Sequence, residues 1–317
     1  MALPLQPPIE PQLARGKPEL PSGDGWVYEP KYDGFRAIAF VDGPDLQLQS
    51  RGGKPLQRYF PELEFPPGRY VLDGEIVIDA HPDSEEPEDF DALSQRIHPA
   101  ASRIELLSKQ TPARYIAFDL LAVDDESLMD QPFSERRRRL EQLELGRVAL
   151  APTVSSAAEA EQWLRRTEGV VAKSAGAAYA AGKRTAMVKV KRMRTIDAVI
   201  AGYRPGKEAG TVGSLILGLY DEAGALRIVG HCSGIKPAEK RALRERLSEY
   251  ETGTRGHGDP SRWKNEKELE WIELRPELVV EVSFDQTGGG RIRHGTKLLR
   301  WREDKSPREC ALTQMQE

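Results

Sequence analysis

The chain has 317 residues, of which 39% are hydrophobic and 30% are charged. That balance is too apolar for a disordered chain and too polar for a membrane protein, and no apolar run approaches the ~18 residues that a spanning helix needs. The two cysteines, Cys232 and Cys310, are too few for a disulfide framework or a four-cysteine zinc site. We therefore expect a globular protein of the cytoplasm, without a membrane partner and with about two domains.

The net charge of −4 gives only a weak argument against nucleic-acid binding, because the 46 Lys and Arg residues are unevenly spread. One basic stretch runs from Lys183 to Arg194. A second lies near the end of the chain and consists of Arg291, Arg293, Lys297, Arg300, Arg302, Lys305 and Arg308. A basic groove is therefore compatible with the overall acidic balance.

The first two-thirds of the chain mix short strands with helices. Runs rich in Val, Ile, Tyr and Phe predict strands at 26–28, 37–41, 70–78, 115–121 and 170–173. Helices are expected at 90–96, 134–145 and 159–166, the second with Ser134 as N-cap and Gly146 as its stop. The arginines that follow Glu135 are interpreted as a solvated face of that second helix. This irregular order predicts an antiparallel α+β domain.

The pattern changes near Arg194. Strands are expected at 198–203, 215–220 and 226–230, followed by a helix from Pro237 to about Glu251, a polar loop, a strand at 278–284 and the basic tail. Short strands with one helix are typical of a small Greek-key barrel of the OB type. The predicted domains are residues 1–194 and 195–317.

The segment Glu29-Pro-Lys31-Tyr-Asp-Gly-Phe-Arg36 is the most informative one. It places a lysine at the end of a strand, beside an Asp-Gly turn. A lysine amine is a nucleophile only when it is neutral, and burial or nearby cations lower its pKa toward that form. Alone, the pattern is better explained by an ordinary turn beside a solvated lysine.

Six further motifs follow in order. They are Ser50-Arg51-Gly52, Leu72-Asp-Gly-Glu75, Ala117-Phe118-Asp119-Leu120, Glu168-Gly-Val-Val-Ala-Lys173, Val188-Lys189-Val190-Lys191 and Arg300-Trp-Arg302-Glu-Asp304-Lys305. This order resembles that of the covalent nucleotidyltransferases. Within them the chain resembles the bacterial ATP-dependent DNA ligases of the ligase C type, over nearly its whole length. Four further segments also resemble that group: Arg58-Tyr-Phe-Pro-Glu62, Gln95-Arg-Ile-His-Pro99, Pro132-Phe-Ser-Glu-Arg-Arg137 and Leu274-Arg-Pro-Glu277.

The resemblance implies an ATP-grasp-like adenylation domain with an antiparallel sheet, followed by an OB-fold barrel. It also implies that Lys31 attacks the α-phosphorus of ATP and forms a lysyl-AMP, with Asp33 as its partner. Lys189 and Lys191 alternate along a strand and so share one face. There they would neutralise the α-phosphate and keep the Lys31 amine deprotonated.

The resemblance also assigns the remaining site residues. Glu75 and Glu168 would bind Mg²⁺ or Mn²⁺ shared with the phosphates, although an acid without this context would be an ordinary surface group. Phe118 would stack on adenine, although its periodicity alone fits a core residue. The remaining nucleotide contacts would be made by Glu29, Arg36, Arg51, Lys173, Arg302 and Lys305, the last two from an OB domain that closes over ATP. One departure is that Gly52 stands where the family usually has Asn.

The expected function is the sealing of nicks in duplex DNA with ATP and a divalent metal, as a monomer in bacterial DNA repair, with other repair proteins as possible partners. NAD-dependent ligases are disfavoured because the chain lacks their cysteine-rich zinc module. An RNA ligase or a capping guanylyltransferase would share the lysine chemistry. A non-catalytic DNA-binding module is the alternative from a different class, and it would form no covalent nucleotide adduct.

Overall fold

The computed structural model describes residues 3–82, 84, 87–257, 270–288, 290–294 and 296–315. The chain divides into two compact units, Met1–Arg192 and Met193–Glu317. The boundary predicted after residue 194 lies beside this division. No helix among the described residues is long and apolar enough to cross a bilayer.

The first unit combines two sheets with four α-helices among its described residues. Its strands are β1 (Arg15–Gly16), β2 (Trp26–Lys31), β3 (Phe35–Gly43), β4 (Asp45–Ser50), β5 (Gly68–Val77), β6 (Arg114–Val123), β7 (Glu126–Ser127), β8 (Ala149–Leu150), β9 (Gly169–Ser174) and β10 (Met187–Lys191). Its helices are α1 (Phe90–Gln95), α2 (Ala101–Gln110), α3 (Phe133–Leu140) and α4 (Ala157–Arg166), with a 3₁₀ turn at Gln57–Tyr59.

The larger sheet of this unit has the order β4-β3-β5-β6-β7, with β8 beside β6, and the smaller has the order β1-β10-β9-β2. Side chains of β3 enter two different core clusters in alternation: Ala37, Ala39 and Val41 lie in one, and Ile38 and Phe40 in the other. Both faces of β3 are therefore covered. This explains why its sequence is a continuous apolar run.

Helix α3 differs from its prediction in position and in burial. It begins at Phe133, and Ser134 does not cap it, because the main-chain N–H groups of Phe133 and Ser134 donate to the carbonyls of Ala177 and Ala175. A neighbouring loop thus satisfies the donors that an N-cap side chain would otherwise bind. The helix ends at Leu140, before the predicted stop.

The interpretation of this helix's arginines as a solvated face was wrong for two of them. Arg136 is 2% exposed and Arg137 is 9% exposed. The guanidinium of Arg136 donates to both carboxylate oxygens of the buried Asp119, at 2.7 and 2.9 Å. A buried acid supplied by β6, together with the carbonyls of Gln131 and Ala177, makes this position tolerable for an arginine, and the helix sequence alone does not reveal these partners.

Among its described residues, the second unit has a seven-stranded antiparallel sheet, a separate two-stranded sheet and one α-helix. Its strands are β11 (Arg194–Pro205), β12 (Val212–Tyr220), β13 (Leu226–Cys232), β14 (Glu251–His257), β15 (Glu270–Leu274), β16 (Val279–Phe284), β17 (Gln286–Gly288), β18 (Arg291–His294) and β19 (Lys297–Trp301). Helix α5 spans Lys240–Ser248, and 3₁₀ turns lie at Pro237–Glu239, Pro307–Glu309 and Leu312–Met315.

Strand β11 organises this second unit. It pairs with β12 along one side and, on the other, with β16 through 194–199 and with β15 at Gly202 and Tyr203. One strand thereby joins three neighbours, and the sheet curls around a core that includes Leu243 and Leu247 of α5. The polar loop expected after α5 instead contains β14 and β15, while residues 258–269 lie outside the described residues. The predicted α+β class with antiparallel sheets is confirmed.

Gly169 controls the spacing of three strands. A Cβ at this position would overlap the carbonyl oxygen of Val190 and approach Cα of Lys191 to 2.9 Å. Gly169→Ala is therefore expected to lower the free energy of unfolding by about 1–3 kcal/mol, as overpacking does. Urea denaturation measures this change. Gly16→Ala in the same sheet is the matched control, since its Cβ meets nothing within 4 Å. Equal stability of the two variants would contradict the prediction.

Candidate active site

The register of the smaller sheet brings three charged side chains together. Lys31, the last residue of β2, lies opposite Gly169 on β9, and Lys191 of β10 lies opposite the same glycine from the other side. Glu168 immediately precedes β9. The two lysines therefore flank one carboxylate, although 137 residues separate Lys31 from Glu168.

Glu168 is a buried carboxylate that bridges two ammonium groups. Its Oε2 contacts Nζ of Lys31, and its Oε1 lies 3.1 Å from Nζ of Lys191. The residue is only 6% exposed. A charge so buried needs a partner, and these two lysines provide it.

The pKa of the Lys31 amine is lowered to about 8, chiefly by burial. Lys191 and Lys189 lower this pKa further, while Glu75 and Asp33 act in the opposite direction. With a pKa near 8, about one amine in ten is neutral at pH 7, far more than for an ordinary lysine. The two lysines thus act on the pKa of Lys31 in the direction that the sequence led us to expect.

Two further carboxyl groups lie around the loop that follows Lys31. Glu75 of β5 lies opposite Arg36 of β3. Burial raises the pKa of Glu75 to about 7, although the positive charges of Lys31 and Arg36 lower it. Burial also raises the pKa of Glu88 to about 7, and its Oε2 accepts the main-chain N–H of Asp33 at 3.5 Å. Sequence reasoning missed Glu88, because it belongs to an acidic stretch typical of a surface.

A second group of residues forms a buried ion pair flanked by two aromatic rings. Nζ of Lys173 lies 2.8 Å from Oε2 of Glu29 and donates to the main-chain oxygen of Phe118 at 3.0 Å. The same ammonium lies 4.5 Å from the ring centroid of Phe118 and 4.6 Å from that of Phe133. Glu29 is 2% exposed, and its Oε1 has no hydrogen-bond partner within the described part of the chain. A buried acceptor of this kind is ready to receive a donor from a ligand.

The predicted arginines differ in their surroundings. Arg36 donates two hydrogen bonds to the carboxylate of Asp73, at 2.9 and 2.5 Å, and lies 5.2 Å from the ring centroid of Phe118. Arg51 is exposed in the turn after β4 and forms no ion pair with a described residue. A Cβ on Gly52 would meet nothing within 4 Å, so the Asn usual at this position would fit.

Arg302 and Lys305 lie in the second unit, where Asp197 of β11 holds both. Nη1 of Arg302 is 2.7 Å from each oxygen of Asp197, and Nζ of Lys305 is 2.8 Å from Oδ2. Asp304 and Asp197 raise the pKa of Arg302, and Asp197 raises that of Lys305. The structure therefore brings most of the predicted residues of the first unit together around Lys31 and Glu29, leaves Arg51 exposed, and pairs those of the second unit with an acid.

The carboxylates suit a metal that is shared with a substrate. Among the described residues, no group of three or more His, Cys, Asp or Glu side chains could hold a metal ion. Glu75 and Glu168 together offer two carboxylates beside Lys31. Mg²⁺ commonly uses one or two carboxylates and completes its coordination with phosphate oxygens and water.

Residues 15–191 match the family model described as ATP dependent DNA ligase domain, and residues 208–305 match that described as ATP dependent DNA ligase C terminal region. The chain belongs to the ATP-dependent DNA ligases. The ligase is 44% identical to DNA ligase C1 of Mycolicibacterium smegmatis, over 99% of this chain and 96% of that protein. It is 40% identical to DNA ligase C of Mycobacterium tuberculosis, over 100% of this chain and 96% of that protein.

Comparison with solved structures also finds DNA ligases. The structure described as mycobacterial DNA ligase D complexed with ATP and MES aligns with a TM-score of 0.51 and 27% identity, over 96% of this ligase and 98% of that chain. A Lig E DNA ligase aligns with a TM-score of 0.55 at 19% identity, over 92% of this ligase and 98% of that chain, which shows the shared fold. The resemblance to ligase C, the enzyme class and the use of ATP are confirmed.

The lowered pKa of Lys31 generates a direct test. Competitive acetylation with acetic anhydride, followed by peptide mapping across pH, should give a midpoint for the Lys31 amine near pH 8. Glu75→Gln should move this midpoint to lower pH, because it removes a negative charge that favours the protonated amine. Glu105→Gln, on the exposed face of α2, is the control and should leave the midpoint in place. A midpoint that stays constant or rises in Glu75→Gln would refute the electrostatic account.

Proposed function

We propose that this ligase seals nicks with a 5′-phosphate and a 3′-hydroxyl in duplex DNA, through an AMP group carried on Lys31. The observation that supports this proposal most strongly is the state of the Lys31 amine. It is largely buried at the end of β2, has a pKa lowered to about 8 and touches Glu168, beside Lys189 and Lys191. A lysine in this state is an activated nucleophile.

In the first step the neutral amine of Lys31 attacks the α-phosphorus of ATP. The N–P bond forms, the bond to pyrophosphate breaks, and the amine loses a proton that Glu168, in contact with Nζ, is placed to accept. Lys189 and Lys191 stabilise the charge that develops on the phosphate oxygens. The 5′-phosphate of the nick then displaces Lys31 from AMP, and finally the 3′-hydroxyl attacks that 5′-phosphate and releases AMP. Covalent catalysis divides the reaction into easier displacements.

The cluster of Glu29, Lys173 and Phe118 supports adenine as the base. The free Oε1 of Glu29 is an acceptor in a buried position. Adenine carries an exocyclic amine donor at the position where guanine carries an acceptor oxygen, so a carboxylate here favours ATP over GTP. The ring of Phe118 provides the stacking surface.

A divalent cation, Mg²⁺ or Mn²⁺, fits Glu75 and Glu168 together with the phosphates. When bound, it neutralises phosphate charge and polarises the phosphorus–oxygen bonds. The protein's share is to hold the two carboxylates beside Lys31. Arg36 and Arg51 are assigned to the ribose or the nick phosphate, and Arg302 and Lys305 to the pyrophosphate.

The second unit offers a candidate DNA contact at Arg204, near the end of β11. Its guanidinium is partly buried, its Nε has no hydrogen-bond partner among the described residues, and burial lowers its pKa. Lys207 follows in an exposed position. A phosphate would stabilise the charge of such a partly desolvated arginine. Contacts with phosphates position a protein on DNA without reading the base sequence. Action as a monomer in bacterial DNA repair, in the cytoplasm, is part of the same proposal.

Intact-mass measurement tests the chemistry. The protein is first treated with pyrophosphate to remove any attached AMP and is then incubated with Mg²⁺ and either ATP or GTP. We expect one AMP on the wild type with ATP alone and none on Lys31→Ala. Lys109→Ala removes an exposed lysine of α2 and should retain the adduct. A GMP adduct would indicate capping chemistry, and no adduct would favour the DNA-binding module.

Charge reversal tests the DNA surface. Arg204→Glu and Lys207→Glu should weaken binding to nicked duplex and reduce the salt dependence of log K by about 1 for each phosphate that the protein no longer neutralises. AMP transfer to the protein should be unaffected. Arg227→Glu, on the exposed face of β13, makes the same change in net charge and serves as the control. Unchanged nick affinity in both test variants would exclude this surface.

A further inference from the structure

Behind Arg36 lies a chain of buried hydrogen bonds that extends from the ligase motifs to two residues outside them, Tyr179 and Gln12. Asp73, which is fully buried, receives two hydrogen bonds from Arg36 and a third, at 2.6 Å, from the hydroxyl of Tyr179 to its Oδ2. That hydroxyl in turn accepts the main-chain N–H of Gln12 at 3.0 Å. The chain therefore runs from Gln12 through Tyr179 and Asp73 to Arg36.

Tyr179 is well suited to fix Asp73. Its ring packs in the cluster that contains Leu3, Ile38 and Val71, and it is 5% exposed. Its main-chain N–H donates to the carbonyl of Met129 at 2.7 Å, which holds the backbone. Burial and the adjacent Asp73 raise the pKa of Tyr179 well above its ordinary value, so the hydroxyl keeps the proton that it donates.

Gln12 is fixed as firmly as Tyr179. Its Nε2 donates to the carbonyl of Thr185 at 2.7 Å, its Oε1 accepts the N–H of Ala180 at 3.2 Å, and it is 4% exposed. These contacts hold the main-chain N–H that meets the tyrosine hydroxyl. The main-chain donor behind the tyrosine hydroxyl is thus immobilised by the fold.

We propose that Tyr179 is a positioning residue, which sets the orientation of Arg36 through Asp73, and that Gln12 anchors the far end of the chain. Each oxygen of Asp73 accepts a hydrogen bond from Arg36, and Oδ2 is shared with the tyrosine hydroxyl. Without the hydroxyl the carboxylate can rotate in its pocket and take the guanidinium with it. Arg36 borders both Phe118 and Glu75, so its displacement reaches the nucleotide site. The inference rests on the proposed function, in which Arg36 contacts the ribose or the nick phosphate.

The test compares single-turnover rates of AMP transfer at saturating ATP. Tyr179→Phe keeps the ring and should lower the rate about tenfold, because small errors in position are costly in catalysis. Tyr70→Phe is the matched control. Tyr70 is also 5% exposed, and its hydroxyl donates at 2.6 Å to the carbonyl of Pro66. The Tyr70→Phe variant should lose about as much stability as Tyr179→Phe and should keep the wild-type rate of AMP transfer.

A double-mutant cycle separates positioning from a structural role. On an Arg36→Lys background, which lacks the planar fork, Tyr179→Phe should change the rate less than about twofold. Equal reductions in rate on both backgrounds, or a wild-type rate in Tyr179→Phe alone, would overturn the inference and leave the proposed function intact. If the wild type itself acquires no AMP, the proposed function fails and the inference with it. If Tyr179→Phe does not fold, Gln12→Ala replaces it in the same cycle, with a smaller reduction expected.

Discussion

The active site depends on the register in which β2 and β10 flank β9. Lys31 and Lys191 both lie opposite Gly169, and Glu168 precedes that glycine directly. A side chain at Gly169 would overlap the backbone of β10, so the closest approach of the strands coincides with the position of the nucleophile. A slip of one residue in either pairing would turn a lysine to the other face of the sheet. The chemistry of the amine follows from this one alignment.

Buried charge is handled by pairing throughout the first unit. Lys173 is paired with Glu29, Arg36 with Asp73 and Arg136 with Asp119, and in each pair the acid is at most 2% exposed. Lys31 differs because its burial, together with Lys191 and Lys189, lowers its pKa in spite of its contact with Glu168. The scaffold ions thus have close partners of opposite charge, whereas the reacting amine has a pKa lowered toward the point where it loses its charge.

In the second unit, the motif cations Arg302 and Lys305 are paired with carboxylates of the same unit. Asp197 binds Arg302 and Lys305 with one carboxylate, and Asp304 adds a second acid beside Arg302. Arg302 lowers the pKa of Asp304 to about 2, so this acid stays ionised. In the role proposed for them, these cations would exchange carboxylates for phosphate oxygens, which are also anionic oxygen acceptors. The main chain of Asp197 is bound separately by Gln314, so the strand does not depend on the ion pairs.

The sequence by itself determined the α+β class, the position of most strands, the family and the use of ATP, because strand periodicity and ordered motifs are local properties of the chain. It placed Lys31 at the end of a strand and Lys189 and Lys191 together on another strand, and these two strands flank β9 in the structure. It misjudged Arg136 and Arg137, and it did not single out Glu88, Asp73 or Tyr179. For each of Arg136, Glu88 and Tyr179 the deciding partner is far away in sequence: Asp119 for Arg136, the loop of Asp33 for Glu88, and Asp73, 106 residues away, for Tyr179. Burial and pKa arise only when such distant groups exclude water from one another, so the tertiary structure alone decided which charges are buried in pairs and how far the pKa of the reacting lysine is lowered.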